Sequence, residues 1–481
     1  MRILLLYPSW TGGNGLFSYF SRRQGTWPPL NLALMAAIAE QYGHNVAMID
    51  GEVERLSMPD MIKKALDHKP DLIGLNGMSP YFHNTTTLAK GLKEANNKVP
   101  IAVGGSHMTI MKEKAFFPEF DFGFIGQAED SWPQFLESYE NGKELSAIKG
   151  LIFRKNDELK NTGEANTKKD LDSLPDPARH LLKMERYKIG TLQGMKNFTS
   201  IQGMRGCPWE CIFCASKELK TNIVSYRSAM KVFNEIREVV SKFNIRHFYF
   251  TDEVLTLNRE RIADLCDMII NEELSITFEG ATRANLIDEE LLIKLKSAGL
   301  IRIAFGLETV NAGMRDTMKK KVPLEEYTKA NCLLNKHGIE VLNSVILGLP
   351  GETRGTAKSS LKWLSKAKDV KQVSISIAVP YPGTEFHKMA KSGTHGVELV
   401  TEDLSAYRRY GNAVIKVNDL APQDLIELQN DGFVSIYSAP WRIKPMWKKH
   451  GTIGCLLTLL RLVKLITRRL SLRRIPASKG Y

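Results

Sequence analysis

Eleven short apolar runs, each closing on a glycine or polar loop and separated from the next by segments of helical period, restrict this chain to an alternating β/α architecture. Five of them lie within residues 1–140: Ile3–Leu6, Val46–Ile49, Leu72–Leu75, Ile101–Val103 and Phe122–Ile125. Helical spacing fills gaps between them, as at Leu30–Tyr42 and Met108–Ala115. Continuous apolar strands bounded by helices predict a doubly wound parallel sheet covered on both faces. A connector over 141–195 follows, with a short strand pair around Leu151–Phe153 and an extended crossing at Pro175-Asp176-Pro177. Six more runs, at Phe198–Gln202, His247–Thr251, Thr277–Gly280, Ile301–Phe305, Val341–Leu347 and Val373–Ile377, alternate with helices over 196–395. They predict a partial (β/α)6 barrel whose chemistry gathers at the C-terminal mouth of its strands. A mostly helical cap over 396–440 and a basic tail over 441–481 complete the chain.

Composition excludes several classes. The formal charge of +13 is concentrated at one end: from Gly432 to Tyr481 there are eleven Lys or Arg and no Asp or Glu, which leaves about +2 on everything before it. A nucleic-acid role is therefore not expected of the folded body. Six cysteines in 481 residues are too few for a disulfide scaffold. No repeat, signal-peptide core or uncharged apolar stretch of spanning length is present, so the expected location is cytoplasmic.

Three of the cysteines fall within eight residues, in Gly206-Cys207-Pro208-Trp209-Glu210-Cys211-Ile212-Phe213-Cys214, directly after the first barrel strand. Three thiolates on one short loop suit three irons of a cubane cluster, with the remaining iron left without a protein ligand. S-adenosylmethionine (SAM) can chelate that iron through its amino and carboxylate groups, and one electron then cleaves it to a 5′-deoxyadenosyl radical. A structural zinc site would want a fourth ligand nearby, and Cys266, Cys332 and Cys455 sit inside helical segments instead.

This motif, with Phe213 as the aromatic residue before the last cysteine, resembles that of the radical SAM superfamily. Further segments resemble it in order: Tyr249 to Glu253, Glu279 to Asn285, Gly306 to Thr309, Leu347 to Thr353 and Tyr381 to Thr384, each at a strand end. The resemblance implies a [4Fe–4S] cluster on Cys207, Cys211 and Cys214. It also implies that Glu308 and Arg283 meet the ammonium and carboxylate of SAM; the alternative is an Arg283–Glu308 ion pair that closes the barrel. Asp252 and Glu253 either orient SAM or cap the following helix.

Ahead of such a barrel, residues 1–140 resemble the flavodoxin-like cobalamin-binding domain of cobalamin-dependent radical SAM enzymes. That family includes C-methyltransferases, hopanoid methylases and the anaerobic magnesium-protoporphyrin ester cyclase. The matching segments are Tyr7-Pro8, Ser79-Pro80-Tyr81, Gly104-Gly105-Ser106-His107 and Gly126-Gln127-Ala128-Glu129. From these the resemblance implies Ser79, Gly104, Gly105, His107, Gly126 and Glu129 as cobalamin contacts; the alternative for His107 is a solvated loop histidine. Trp10, Trp27 and Tyr81 either contact corrin or pack. The chain lacks D-x-H-x-x-G, since Asp67-His68 has the wrong spacing, so no histidine ligand to cobalt is expected. A flavodoxin-like domain that binds nothing is the other reading.

The chemistry expected is abstraction of hydrogen from an unactivated carbon of a small-molecule or lipid substrate, then methyl transfer from methylcobalamin. Oxidative cyclisation or rearrangement with the same cofactors is the alternative. An electron donor of flavodoxin or ferredoxin type is implied. In the tail, Leu456, Leu459, Leu460, Val463, Ile466 and Leu470 recur at helical spacing among Arg and Lys, which suits either peripheral contact with an anionic membrane through residues 450–475 or packing on the barrel or a partner protein.

Overall fold

The computed structural model describes residues 1–9, 26–191, 193–219 and 223–444, with 447, 451, 452 and 456 beyond them. Trp10, Cys455 and the tail stripe from Leu459 onward lie outside the described residues.

The first sheet has seven strands: β1 (Arg2–Tyr7), β2 (Asn45–Asp50), β3 (Leu72–Asn76), β4 (Ile101–Gly104), β5 (Phe122–Phe124), β6 (Leu151–Lys155) and β7 (Glu158–Asn161), in the order β2-β1-β3-β4-β5-β6-β7. β1 to β5 pair in parallel, and β6 and β7 add antiparallel at the far edge. The strand pair expected in the connector therefore extends the first sheet. Separate apolar clusters cover its two faces, one around Leu4, Leu6, Ile73 and Val103, the other around Ile3, Leu5, Leu72 and Ala102. Alternation of side chains along each strand dictates that split. The order reverses at β1/β3, which opens a crevice outside the strand C-termini. The helix expected at Met108–Ala115 starts earlier, at Ser106, and breaks at Lys112, whose φ of 50° ends the α conformation before a 3-10 turn.

A hairpin of β8 (Lys188–Thr191) and β9 (Gly194–Asn197) precedes the second sheet. That sheet is fully parallel, with β10 (Thr199–Ile201), β13 (His247–Phe250), β14 (Thr277–Thr282), β15 (Leu300–Glu308), β16 (Glu340–Leu347) and β17 (Gln372–Ile377) side by side in that order. Between β10 and β13, β11 (Met204–Arg205) and β12 (Ser225–Tyr226) form a small antiparallel pair that brackets the cysteine loop. β17 does not pair with β10, so the barrel is open on one side. Crossover helices begin at polar caps: Ser228, Asn258, Asp288 and Thr353 each accept from a backbone N–H three residues on. The cap region holds an antiparallel pair, β18 (Val397–Leu399) with β19 (Ile415–Val417), and the helix Pro422–Tyr437.

Candidate functional site

The cysteine loop is fixed at both ends. Buried Asp252 accepts from Gly203 N at 2.6 Å and Met204 N at 3.1 Å, and its other oxygen takes Arg261 Nη2 at 3.2 Å. Burial pushes this carboxyl up to about 6, against the pull of Arg261. Asp252 thus neither caps a helix nor stands free for a ligand; Asn258 caps the following helix. Gly206 turns the chain into Cys207 with φ of 100°, which a side chain would strain. Further on, Ile212 N donates to Met318 O and Ile212 O accepts from Phe386 N, so the loop is tied across the mouth. Phe213 packs against the barrel core.

Cys207, Cys211 and Cys214 are all half-buried, and none is in a disulfide. Burial raises the thiols of Cys207 and Cys211, and each is raised further by its neighbouring cysteines; Arg283 opposes this at both, and Lys320 at Cys211. Three mutually interacting thiols beside two cations are a donor set for an anionic cluster. Among the described residues no three His, Cys, Asp or Glu are grouped so as to hold a single metal ion.

Arg283 and Glu308 do not form an ion pair. Arg283 lies over the Trp209 ring, 4.0 Å from its centroid, and its buried Nε has no partner. Glu308 is paired with buried Lys320, Oε1 to Nζ 2.7 Å. A register shift between Gly306 and Glu308, with Glu308 at φ of 62°, swings this carboxylate at the strand end. A Cβ at Gly306 would collide with both Glu308 Oε1 and Lys320 Nζ, so the glycine makes room for the pair. Lys320 escaped the sequence reading because it follows a helix, outside the strand-end segments.

Between the first sheet and the barrel mouth lies a cavity of about 550 Å³. Gly104, Gly105, Gly126 and Glu129 line it from the sheet; Ser200, Gln202, Arg205, Thr251 and Glu253 line it from the barrel. Trp27 lines it too and sits edge-on to Phe198 and Tyr249. At Gly105, with φ of 115°, a Cβ would stand 2.8 Å from Asn76 Oδ1 and Gly77 O. Asn76, also in the lining, has both side-chain polar atoms buried and unpartnered, as has Glu129 Oε2. Glycine backbones open to close approach and orphaned polar atoms fit a large, amide-rich ligand such as cobalamin.

Ser79 and His107 are not in this lining. His107 Nδ1 meets Ser79 Oγ at 3.0 Å beneath the Phe82 ring, and the histidine is 2% exposed, so it is no solvated loop residue. Burial depresses its pKa to about 4. His68 stands exposed at a helix end, away from the cavity.

Two families match the chain: the B12 binding domain over residues 19–136 and the Radical SAM superfamily over 201–364. An uncharacterized methyltransferase of Pyrococcus horikoshii is 28% identical over 457 residues, which span 94% of this chain and 96% of its own. The anaerobic magnesium-protoporphyrin IX monomethyl ester cyclase of Rubrivivax gelatinosus is 26% identical over 75% of this chain and 65% of its own. In fold, the chain is similar to the radical SAM methyltransferase TsrM of Kitasatospora setae, solved with cobalamin and a [4Fe–4S] cluster, with a TM-score of 0.71 over 98% of this chain and 99% of that one at 14% identity. Sheet, cavity, cysteine loop and open barrel come together as one arrangement: the chain carries the two domains of the cobalamin-dependent radical SAM enzymes, a B12 binding domain ahead of a Radical SAM superfamily domain.

Proposed function

We propose that this enzyme is a radical C-methyltransferase in which Cys207, Cys211 and Cys214 hold the cluster, Glu308 and Arg283 meet SAM, and the cavity seats cobalamin. The observation that carries the reading is the cavity: its two walls are the glycine loops of the first sheet and the strand ends that run into the cysteine loop. A relative named as a methyltransferase over nearly its full length supports methyl transfer ahead of cyclisation. When bound, the cluster supplies the electron that cleaves SAM, and cobalamin supplies the methyl group that a substrate carbon radical takes up. The chain's own part is placement. Lys320 and Arg283 offset the charge of the thiolates, and Gly104, Gly105 and Gly126 let backbone approach the ligand.

The test is anaerobic reconstitution with iron, sulfide and hydroxocobalamin, followed by product counting with SAM and reductant. Methylation requires both 5′-deoxyadenosine and S-adenosylhomocysteine. Deoxyadenosine alone, at every substrate tried, refutes methylation and favours cyclisation or rearrangement.

The remaining assignments concern partners: a small-molecule or lipid substrate, an electron donor of flavodoxin or ferredoxin type, and a cytoplasmic location with the basic tail against an anionic membrane. No helix among the described residues is long and apolar enough to cross a membrane. Liposome flotation with and without residues 450–481 decides the tail's role; equal recovery ends it.

A further inference from the structure

Glu129 belongs to the loop after β5, and Arg205 stands two residues before Cys207. They meet across the domain boundary: Arg205 Nη1 is 2.6 Å from Glu129 Oε1, with side-chain exposures of only 15% and 7%. Arg205 Nε also donates to Gln202 Oε1 at 2.9 Å. Both members of the pair line the cavity assigned to cobalamin. Only one carboxylate oxygen is used. Glu129 Oε2 is buried without a hydrogen-bond partner. A buried carboxylate oxygen left unanswered is costly, and a ligand donor at the cavity wall is the group that would answer it.

On the barrel side the pair acts on a short, stiff segment. Gly203 and Met204 are held by Asp252, Arg205 pairs with Ser225 across the β11–β12 ladder, and Gly206 then turns directly into Cys207. A displacement or loosening of Arg205 therefore has one residue over which to dissipate before it reaches the first cysteine.

We infer that the Glu129–Arg205 pair couples the two cofactor sites: an amide N–H at the corrin periphery donates to Glu129 Oε2, and Arg205 carries that restraint to the cysteine loop, so that corrinoid and SAM bind cooperatively. This rests on the cavity being the cobalamin site. The energetic basis is ordering: whichever ligand binds first fixes the pair, and the second no longer bears that cost. Glu129 and Arg205 are positioning residues here.

The experiment uses the full chain, anaerobically reconstituted with its cluster. The affinity for hydroxocobalamin is measured by Trp fluorescence quenching with and without SAM, and the affinity for SAM is measured with and without hydroxocobalamin. Linkage demands the same ratio in both directions, expected at roughly fivefold or more. In Glu129→Gln and in Arg205→Gln the ratio falls to about one with iron content unchanged, while Arg205→Lys, which keeps the charge, retains part of it. The spectrum of the reduced cluster provides an independent readout: bound corrinoid, which the reductant converts to cob(II)alamin and whose own signal is subtracted, alters the cluster's electron paramagnetic resonance signal in the wild type and not in Arg205→Gln. A wild-type ratio of unity with both ligands bound overturns the inference, as do variants that keep the wild-type ratio. A wild type that binds no corrinoid defeats the cavity assignment instead.

Discussion

Glu235, on the helix Ala229–Phe243, is 1% exposed and lies between two buried guanidiniums. Arg227 hydrogen-bonds its Oε2, and Arg179 Nη2 is 2.6 Å from Oε1. Arg179 also reaches Thr199 and Ser200 of β10, and Arg227 reaches Gln202 O and Asp176. The cluster thus ties the connector to the strand that runs into the cysteine loop. Glu235→Gln keeps the volume, leaves Arg227 with Asp176 as its remaining anion, and leaves Arg179 with the neutral oxygens of Thr199 and Ser200. Breaking a buried ion pair on one side costs about 3–5 kcal/mol. At about 2–4 °C per kcal/mol for a unit the size of the barrel, Tm should fall by roughly 6–20 °C. The pH dependence follows the same logic. Burial raises the Glu235 pKa, but Arg179 and Arg227 together override it and hold the carboxyl below the usual range. A depressed folded pKa contributes stability above the unfolded value and loses it as pH falls through the folded one. The gap between wild type and variant should therefore be widest at neutral pH and close on acidification. Calorimetry or circular dichroism of the apo chain at pH 7 and in acid measures both. A Tm within about 2 °C of wild type at pH 7 would show that the pair holds nothing together, and would refute the reasoning.

Three further outcomes are expected. Gly105→Ala forces a side chain into the left-handed region at φ of 115° and against Asn76 and Gly77, so hydroxocobalamin affinity should fall about tenfold or more while iron content holds; unchanged affinity would place the ligand elsewhere. His107, with its pKa lowered to about 4 by burial, stays neutral in the fold while the unfolded chain takes up a proton below about pH 6.5. Stability should accordingly decline between pH 6.5 and 4, by about 3 kcal/mol in total, and His107→Gln should flatten that decline; parallel curves count against it. The triple alanine variant at Cys207, Cys211 and Cys214 should lose its iron after anaerobic reconstitution and cleave no SAM, and retention of either would dismiss the cysteine loop as the cluster site.

The alternation of strands with helices and the cysteine loop were readable because both are local patterns. Alternation of apolar runs and helices needs no knowledge of neighbours, and three cysteines within eight residues necessarily share one short segment. Pairings were less legible. Glu308 and Arg283 look complementary along the chain, yet Lys320 takes the carboxylate and Trp209 takes the guanidinium. Histidine in a glycine loop reads as a corrin contact or as solvated, but Phe82 covers His107 from another helix. The strand pair near Leu151 reads as connector, because nothing local says that β6 will add antiparallel to β5.

Sequence by itself determined two β/α units, a loop of cysteine thiols at a strand end, and a charge imbalance confined to the tail. Each of these depends on residues close together in the chain. Tertiary structure alone decided that the glycine loops of one sheet face the strand ends of the other, that Glu129 answers Arg205 across them, and that Asn76 lines the cavity with its side-chain polar atoms unpartnered. Those facts depend on how two separately folded sheets are oriented, and orientation is set by long-range packing that no periodicity records.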